Sequence, residues 1–116
     1  MKITFLGTNG WYDTPTGNTI CILVQSGGYN IILDAGNGLY KVDRYVKGDS
    51  ATYIFLSHFH LDHIAGLHIL GKFNFNKGLH ICGQAGTKEI LGEFINFPFT
   101  MPINRLRYKT EIHELP

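Results

Sequence analysis

The chain has 116 residues, of which 44% are hydrophobic and 16% are charged, and its formal net charge is +1. This length allows one domain with a real core, and the near-neutral charge gives no basis for predicting nucleic-acid binding through a broadly basic surface. The chain contains no run of about 18 apolar residues, and it does not begin with a signal-peptide pattern. We therefore expect a cytoplasmic protein with no membrane partner.

The first third of the chain has the pattern of three strands, two of which form a hairpin. Apolar residues fall on both alternating sides of the second run, which predicts a strand covered on both faces. A Ser-Gly-Gly-Tyr turn at 26–29 joins the second strand to the third. We predict these strands at residues 2–6, 19–25 and 30–33.

The loop between the first two predicted strands is longer than most such connections. It runs from Gly7 through Asn18 and contains turn-forming glycine and proline residues. Long ordered loops often carry function. The alternative is a plain connection with a partly buried Trp11, and the residues alone leave both interpretations open.

Helical and extended patterns alternate through the rest of the chain. Helical spacing of apolar residues is clear after Asn37 and again after Thr87, which is a plausible N-cap. We predict helices at 37–47, 64–70 and 87–94 or 87–96, and strands at 52–56, 79–82 and 105–115. This order predicts a single domain of the α/β class, with a mixed β-sheet and flanking helices.

Four potential metal ligands lie within six consecutive positions, directly after the strand predicted at 52–56. They are His58, His60, Asp62 and His63. Imidazole nitrogen and carboxylate oxygen both bind zinc, at about 2.0–2.2 Å. His58 and His60 are two residues apart in an extended segment, so they point to the same side and can share one metal. Asp62 and His63 follow where the chain turns into a helix, so they can serve a second metal nearby.

The other candidate residues have weaker signals. His68 and His80 are predicted to be packing or surface residues, and so is His113, although His113 is the most interesting spare ligand. Asp34 ends a strand at a glycine turn, where aspartate is common. Given the metal interpretation, we favour a supporting role in which the Asp34 carboxylate fixes the tautomer of a ligand histidine.

The segment Ser57–His63, followed by Gly66, resembles the His-x-His-x-Asp-His signature of the metallo-β-lactamase superfamily. The segment Leu33–Gly36 matches the earlier strand-end aspartate of that superfamily. The opening Phe5–Thr8, together with the histidine segment, is most similar to the ribonuclease Z-like branch of phosphodiesterases. The resemblance covers essentially the whole chain.

This resemblance implies the N-terminal half of an αββα sandwich that binds two zinc ions. His58 and His60 would hold the first ion, and Asp62 and His63 the second. Asp62 would also be catalytic, orienting the attacking water or accepting its proton. The implied reaction of the parent enzyme is hydrolysis by a metal-bound hydroxide. The implied substrate is a phosphodiester or another hydrolysable compound, with RNA, such as a tRNA 3′ trailer, as the favoured case.

The chain departs from the family pattern in two ways. Members of the ribonuclease Z branch often carry an arginine just before the Asn-Thr pair, where this chain has Gly17. The family also needs a downstream histidine, a bridging aspartate and a further histidine, and no histidine of this chain after Gly66 has a matching context. We therefore expect a partial domain over residues 1–116 without its C-terminal half, inactive alone, with partial or absent zinc occupancy.

Half a sandwich would leave one face of its sheet uncovered, which predicts self-association or pairing with the missing half. An alternative from another functional class follows from this. The chain would then be a non-catalytic metal-binding or oligomerising half-domain whose site a partner chain completes, for example with a second copy's His113. A third alternative is the di-iron branch of the superfamily, which typically has glutamate in place of His60.

Overall fold

A computed structural model describes all 116 residues and contains one six-stranded sheet. The strands lie in the sheet in the same order as in the sequence. The first three strands alternate in direction, and the last four run parallel to one another. Their bounds are β1 Lys2–Gly7, β2 Cys21–Ser26, β3 Tyr29–Leu33, β4 Thr52–Phe55, β5 Leu79–Gly83 and β6 Thr110–Glu114.

The helices are short and fill the connections between strands. Two are α-helical, α1 Leu61–Ile64 and α2 Thr87–Phe94, and three are 3₁₀ helices, Asn37–Arg44, Ala65–Lys72 and Ile103–Arg105. None has the length and apolar character needed to cross a membrane. The predicted α/β class with a mixed sheet and flanking helices is confirmed.

Several element boundaries differ from the sequence prediction, and three of these differences are the most informative. Helix α1 begins at Leu61 rather than at residue 64, so its first turn includes part of the histidine segment. Gly86, with φ +96°, is the N-cap of α2, and Thr87 is the first helical residue. The last strand begins only at Thr110, because the preceding segment forms a 3₁₀ turn after Pro102 and then a bend.

The core lies on one face of the sheet. Leu23, Ile32, Ile54 and Ile81 pair in register across four neighbouring strands, and all four are fully buried. The helices cover this row with further fully buried residues, Leu39, Val42, Leu67, Leu70 and Leu91. A row of aliphatic side chains under short helices is what a parallel sheet needs on a face that is shielded from water.

The opposite face of the sheet is not covered, and this corrects one prediction. Strand β2 was predicted to be covered on both sides, but its Ile22 and Val24 are only half-buried. Four apolar side chains of this open face are strongly exposed: Ile3 (51%), Phe5 (66%), Leu33 (41%) and Phe55 (36%). The apolar pattern of β2 thus describes a strand whose second face lacks a partner within this chain.

Candidate metal centre

The predicted ligands lie in the connection between β4 and α1, which we call the histidine loop (Ser57–His63). Its extended part places His58 and His60 on either side of Phe59, and Phe59 packs against the hydrophobic core. Extended backbone sends successive side chains to opposite sides, so the inward packing of the half-buried Phe59 turns both histidines outward. Asp62 and His63 follow in the first turn of α1.

Asp34 anchors the histidine loop from the neighbouring strand end. Its backbone has φ +61°, a left-handed conformation that aspartate tolerates better than most residues. One carboxylate oxygen accepts a hydrogen bond from the backbone N–H of Ser57 at 2.8 Å. The other oxygen accepts from the Ser57 hydroxyl at 2.7 Å and lies 2.9 Å from Nδ1 of His63.

The contact with Asp34 sets the orientation of the His63 ring. A carboxylate can only accept a hydrogen bond, so in the neutral imidazole of His63 the proton is on Nδ1 and the lone pair is on Nε2. The hydroxyl of Ser57 also lies 3.0 Å from Nδ1 of His58. Both contacts leave Nε2 as the ring nitrogen that can bind a metal, which is the arrangement that metal-binding histidines usually have.

The three histidine rings of the loop converge. The ring centroids of His58 and His60 are 4.6 Å apart, and those of His58 and His63 are 4.0 Å apart. Nε2 of His63 lies 3.5 Å from Oδ2 of Asp62. Two ligands of one tetrahedral zinc ion with bonds of about 2.0–2.1 Å lie roughly 3.3–3.4 Å apart, so this pair is close to that spacing.

Asp62 receives a hydrogen bond that the sequence did not reveal. The backbone N–H of Trp11, a residue of the long β1–β2 loop, donates to Oδ2 of Asp62 at 2.8 Å. This bond is the main reason why the pKa of Asp62 lies below its usual value, and the neighbouring His63 and His60 lower it further. Asp62 is therefore an ionised carboxylate at neutral pH. Together with His60 and Leu61, Trp11 and Asp62 line an open cleft of about 510 Å³.

The β1–β2 loop that carries Trp11 is tied to its surroundings by Asp13. One oxygen of Asp13 accepts a hydrogen bond from the backbone N–H of Thr19 at 2.8 Å, and the other accepts from the Asn37 side chain at 3.0 Å. Trp11 is 83% exposed, so the alternative with a partly buried tryptophan is wrong. The loop contacts a predicted site residue, which favours the functional interpretation over a plain connection.

The other histidines lie apart from the histidine loop. His68 is exposed on its helix, with Nδ1 2.5 Å from the carbonyl oxygen of Ala65. His80 and His113, which the sequence favoured as packing residues, lie together on β5 and β6 next to Glu111. In this structure, the cluster of three potential ligands whose donor atoms all lie within 4.8 Å of one another is this one, not the histidine loop.

Comparison with protein families places this geometry in a known context. Residues 14–81 match the family model described as the metallo-beta-lactamase superfamily. Proteins named ribonuclease Z are among the curated relatives. That of Haloarcula marismortui is 33% identical over 107 residues and that of Nanoarchaeum equitans is 35% identical over 108 residues. In both cases the match covers 88% of this chain and 34% of the relative. The chain thus spans about a third of the length of the curated relatives it matches.

Solved structures show the same fold. The short form of human tRNase Z superimposes with a TM-score of 0.78 and 25% identity, over 98% of this chain and 44% of that one. A metallo-β-lactamase fold protein from Bacillus subtilis superimposes with a TM-score of 0.68 and 24% identity, over 98% of this chain and 45% of that one. These matches confirm the predicted resemblance and the predicted fold class, that of half a metallo-β-lactamase domain.

Proposed function

Because the chain belongs to the metallo-β-lactamase superfamily, we propose that it is the N-terminal, metal-binding part of a zinc-dependent hydrolase that cleaves phosphodiesters. The names ribonuclease Z and tRNase Z of its relatives support RNA, and tRNA in particular, as the substrate. Cleavage at the tRNA 3′ trailer is the reaction that the family resemblance implies. The chain spans only a part of those relatives, so residues 1–116 would form a partial domain. A cytoplasmic location belongs to the same proposal.

The observation that carries the proposal is the contact of Asp34 with His63. A carboxylate at 2.9 Å from Nδ1 directs the free lone pair of Nε2 into the space beside His58 and Asp62. Metal-binding histidines nearly always have such a partner on the ring nitrogen that does not bind the metal. The donor set therefore fits a divalent metal, and zinc is the ion that the superfamily resemblance implies.

The residues of the histidine loop divide between two ions in the proposed complete site. His58 and His60 would hold the first, and Asp62 and His63 the second. When bound, such an ion pair supplies Lewis acidity and an activated water at neutral pH. Asp62 is ionised and held by Trp11, so its carboxylate can orient that water or accept its proton.

Four ligands are too few for two catalytic zinc ions, because each ion needs three or four protein donors. The 116-residue chain alone would therefore bind zinc incompletely and have little or no activity. A C-terminal half would supply the remaining ligands. It would also cover the open face of the sheet, where Phe5 and Phe55 are exposed.

A second candidate function is favoured by that same open face. The chain would be a non-catalytic metal-binding or oligomerising module that completes its site with a partner chain. The two candidates differ in zinc content. A chain that acts as half of an enzyme gains zinc and turnover together when it is extended, whereas a self-completed oligomer reaches full zinc occupancy from 116-residue chains alone.

Zinc content and hydrolysis together test the proposal. A protein that extends beyond Pro116 to the length of its relatives should bind two zinc ions and hydrolyse a chromogenic phosphodiester and a tRNA precursor. We expect Asp62→Asn to lower turnover by about 100-fold or more, since it removes a proton acceptor. Asp49→Asn, which changes an exposed loop carboxylate, should leave turnover unchanged.

Two results would count against the proposal. Absence of hydrolysis in the extended, zinc-loaded protein would contradict the enzyme assignment. Robust hydrolysis by the 116-residue chain would contradict its assignment as an inactive half.

A further inference from the structure

Two histidines and a glutamate meet on the open face of the sheet, away from the histidine loop. His80 lies on β5, and Glu111 and His113 lie on the neighbouring parallel strand β6. We call these three residues the sheet cluster. Nδ1 of His80 is 2.9 Å from Nε2 of His113, and Oε2 of Glu111 is 3.9 Å from the first nitrogen and 3.7 Å from the second.

These three distances are close to the spacing of ligands around one small cation. Donors bound to a tetrahedral zinc ion at about 2.0–2.1 Å lie roughly 3.3–3.4 Å apart, and the observed separations of 2.9–3.9 Å lie on both sides of that value. Oε2 of Glu111 is too far from either ring for a hydrogen bond. The three donor atoms thus lie close enough together for one small ion to contact all of them, and only the two nitrogens are close enough to form a hydrogen bond with each other.

The surrounding residues hold the donors in place. The ring of Tyr53 stacks on His80, with centroids 4.6 Å apart and an interplanar angle of 14°. His113 stacks on the same imidazole at 5.2 Å. Nζ of Lys109 lies 3.0 Å from Oε1 of Glu111, which leaves Oε2 free to face the histidines. This bond to Lys109 is also the main reason why the pKa of Glu111 is lowered, so the carboxylate is ionised at neutral pH.

We propose that the sheet cluster is a second metal site, which binds one divalent transition-metal ion of the zinc class through His80, Glu111 and His113. Two imidazoles and one carboxylate form a borderline ligand set that suits Zn²⁺, Co²⁺ and Ni²⁺ better than Mg²⁺ or Ca²⁺. Three protein donors leave a fourth position for water. The ion would tie β6, the last strand of the sheet, to β5 on the face that has no helices.

The sheet cluster is independent of the proposed hydrolytic site. His80 pairs in register with Tyr53 in the middle of β4, whereas the histidine loop follows the end of that strand. No residue of the sheet cluster belongs to the Asp34 network. Zinc uptake by the sheet cluster therefore needs neither His58 nor Asp62, and failure of the proposed hydrolase function would leave this inference untouched.

Metal counting in variants of the chain tests this site. Equilibrium dialysis against Zn²⁺, followed by elemental analysis, gives the number of ions per chain. Replacing His58, His60 and His63 by Asn should leave one bound zinc, and adding His80→Asn and His113→Asn should remove it. His68→Asn is the matched control, because it changes an exposed histidine outside both sites and should not alter uptake.

A second measurement keeps the inference falsifiable if the loop variant does not fold. In the otherwise unchanged chain, His80→Asn with His113→Asn should lower zinc uptake by one ion. Titration with Co²⁺ should give the intense visible bands of tetrahedral coordination, reduced in the same double variant. Equal zinc uptake with and without His80 and His113 would overturn the proposal, as would a loop-variant chain that folds and binds no zinc.

Discussion

Asp34 joins the end of strand β3 to the histidine loop through hydrogen bonds to both Ser57 and His63. Its left-handed backbone turns the carboxylate toward Ser57 and His63, and the side chain is only 13% exposed. A single residue at a strand end thus fixes both the start of the loop and the ring of a predicted ligand. This geometry agrees with the supporting role predicted for Asp34 from the sequence, which stays a prediction until a metal is measured.

At the scale of the residue, we predict that Asp34→Asn weakens metal binding by the histidine loop by about 10–100-fold. Asparagine tolerates the left-handed backbone but removes the charge that orients His63. The single tryptophan, Trp11, lies in the cleft beside Asp62, so quenching of its fluorescence by Co²⁺ reports this site. Asp43→Asn, an exposed carboxylate paired with Lys72, is the control. Equal Co²⁺ affinities in the two variants would contradict the prediction.

Sequence reasoning could find the ligand candidates because they are nearly contiguous. It could not find the N–H of Trp11, since every residue other than proline has this group and only the fold decides where it points. The sheet cluster was missed for a related reason. His80 and His113 are far apart in the chain, and only the parallel pairing of β5 with β6 brings them together. Each alone resembles an ordinary strand histidine.

At the scale of the element, the histidine loop depends on a close backbone contact with the turn after β3. The N–H of Ala35 donates to the carbonyl oxygen of His63 at 2.8 Å. The N–H of Gly66 donates to the carbonyl oxygen of Ala35 at 2.9 Å. A Cβ atom on Gly66 would lie 2.2 Å from the carbonyl oxygen of Gly36. Glycine is therefore required at position 66 by the approach of two backbones, which keeps α1 beside Asp34.

Gly66→Ala should lower the free energy of unfolding by about 1–3 kcal/mol, because the added methyl group meets backbone that cannot move aside. Gly92→Ala is the matched control. Gly92 is exposed within α2 and has open space around it, so alanine there should raise stability by about 0.5–1 kcal/mol. Chemical denaturation of both variants measures the difference. An unchanged free energy of unfolding in Gly66→Ala would show that the two backbones can move apart to make room for the methyl group.

The order and type of the main elements were predictable because strand and helix periodicities differ clearly in this chain. Their ends were less so. Helix α1 starts earlier than its apolar spacing indicates. The backbone of His60 is extended, and the helical turn begins directly after it at Leu61. Strand β6 is shorter than its alternating pattern because Tyr108 lies in a bend before the strand, where its hydroxyl donates to the carbonyl oxygen of Leu70.

At the scale of the whole molecule, the dominant feature is a sheet with helices on one side only. Apolar side chains on the open face include Phe5 and Phe55, and such surfaces on soluble proteins mark interaction sites. The prediction that the chain pairs with itself or with a C-terminal half rests on this face. The family pattern predicted an uncovered face of the sheet, and the exposed fractions of these side chains show where that face lies.

We predict that the 116-residue chain is a dimer or larger at micromolar concentration. Phe5→Lys should weaken association by about 10-fold or more, since it removes a large apolar side chain from the open face. Phe99→Lys is the control, because Phe99 is equally prominent at 77% exposure but lies outside the sheet. Multi-angle light scattering over a concentration series measures both. A monodisperse monomer for the parent chain would contradict the prediction.

The strand order has a consequence for how the molecule is made. Because β1 to β6 lie in the sheet in the order in which they are synthesised, each new strand can add to an edge that already exists, and none has to be inserted between two earlier ones. The strands therefore leave the ribosome in the order in which they lie in the sheet. Asp34 and its turn emerge before the histidine loop that they hold, so the anchor of the proposed metal site can be in place before its ligands arrive.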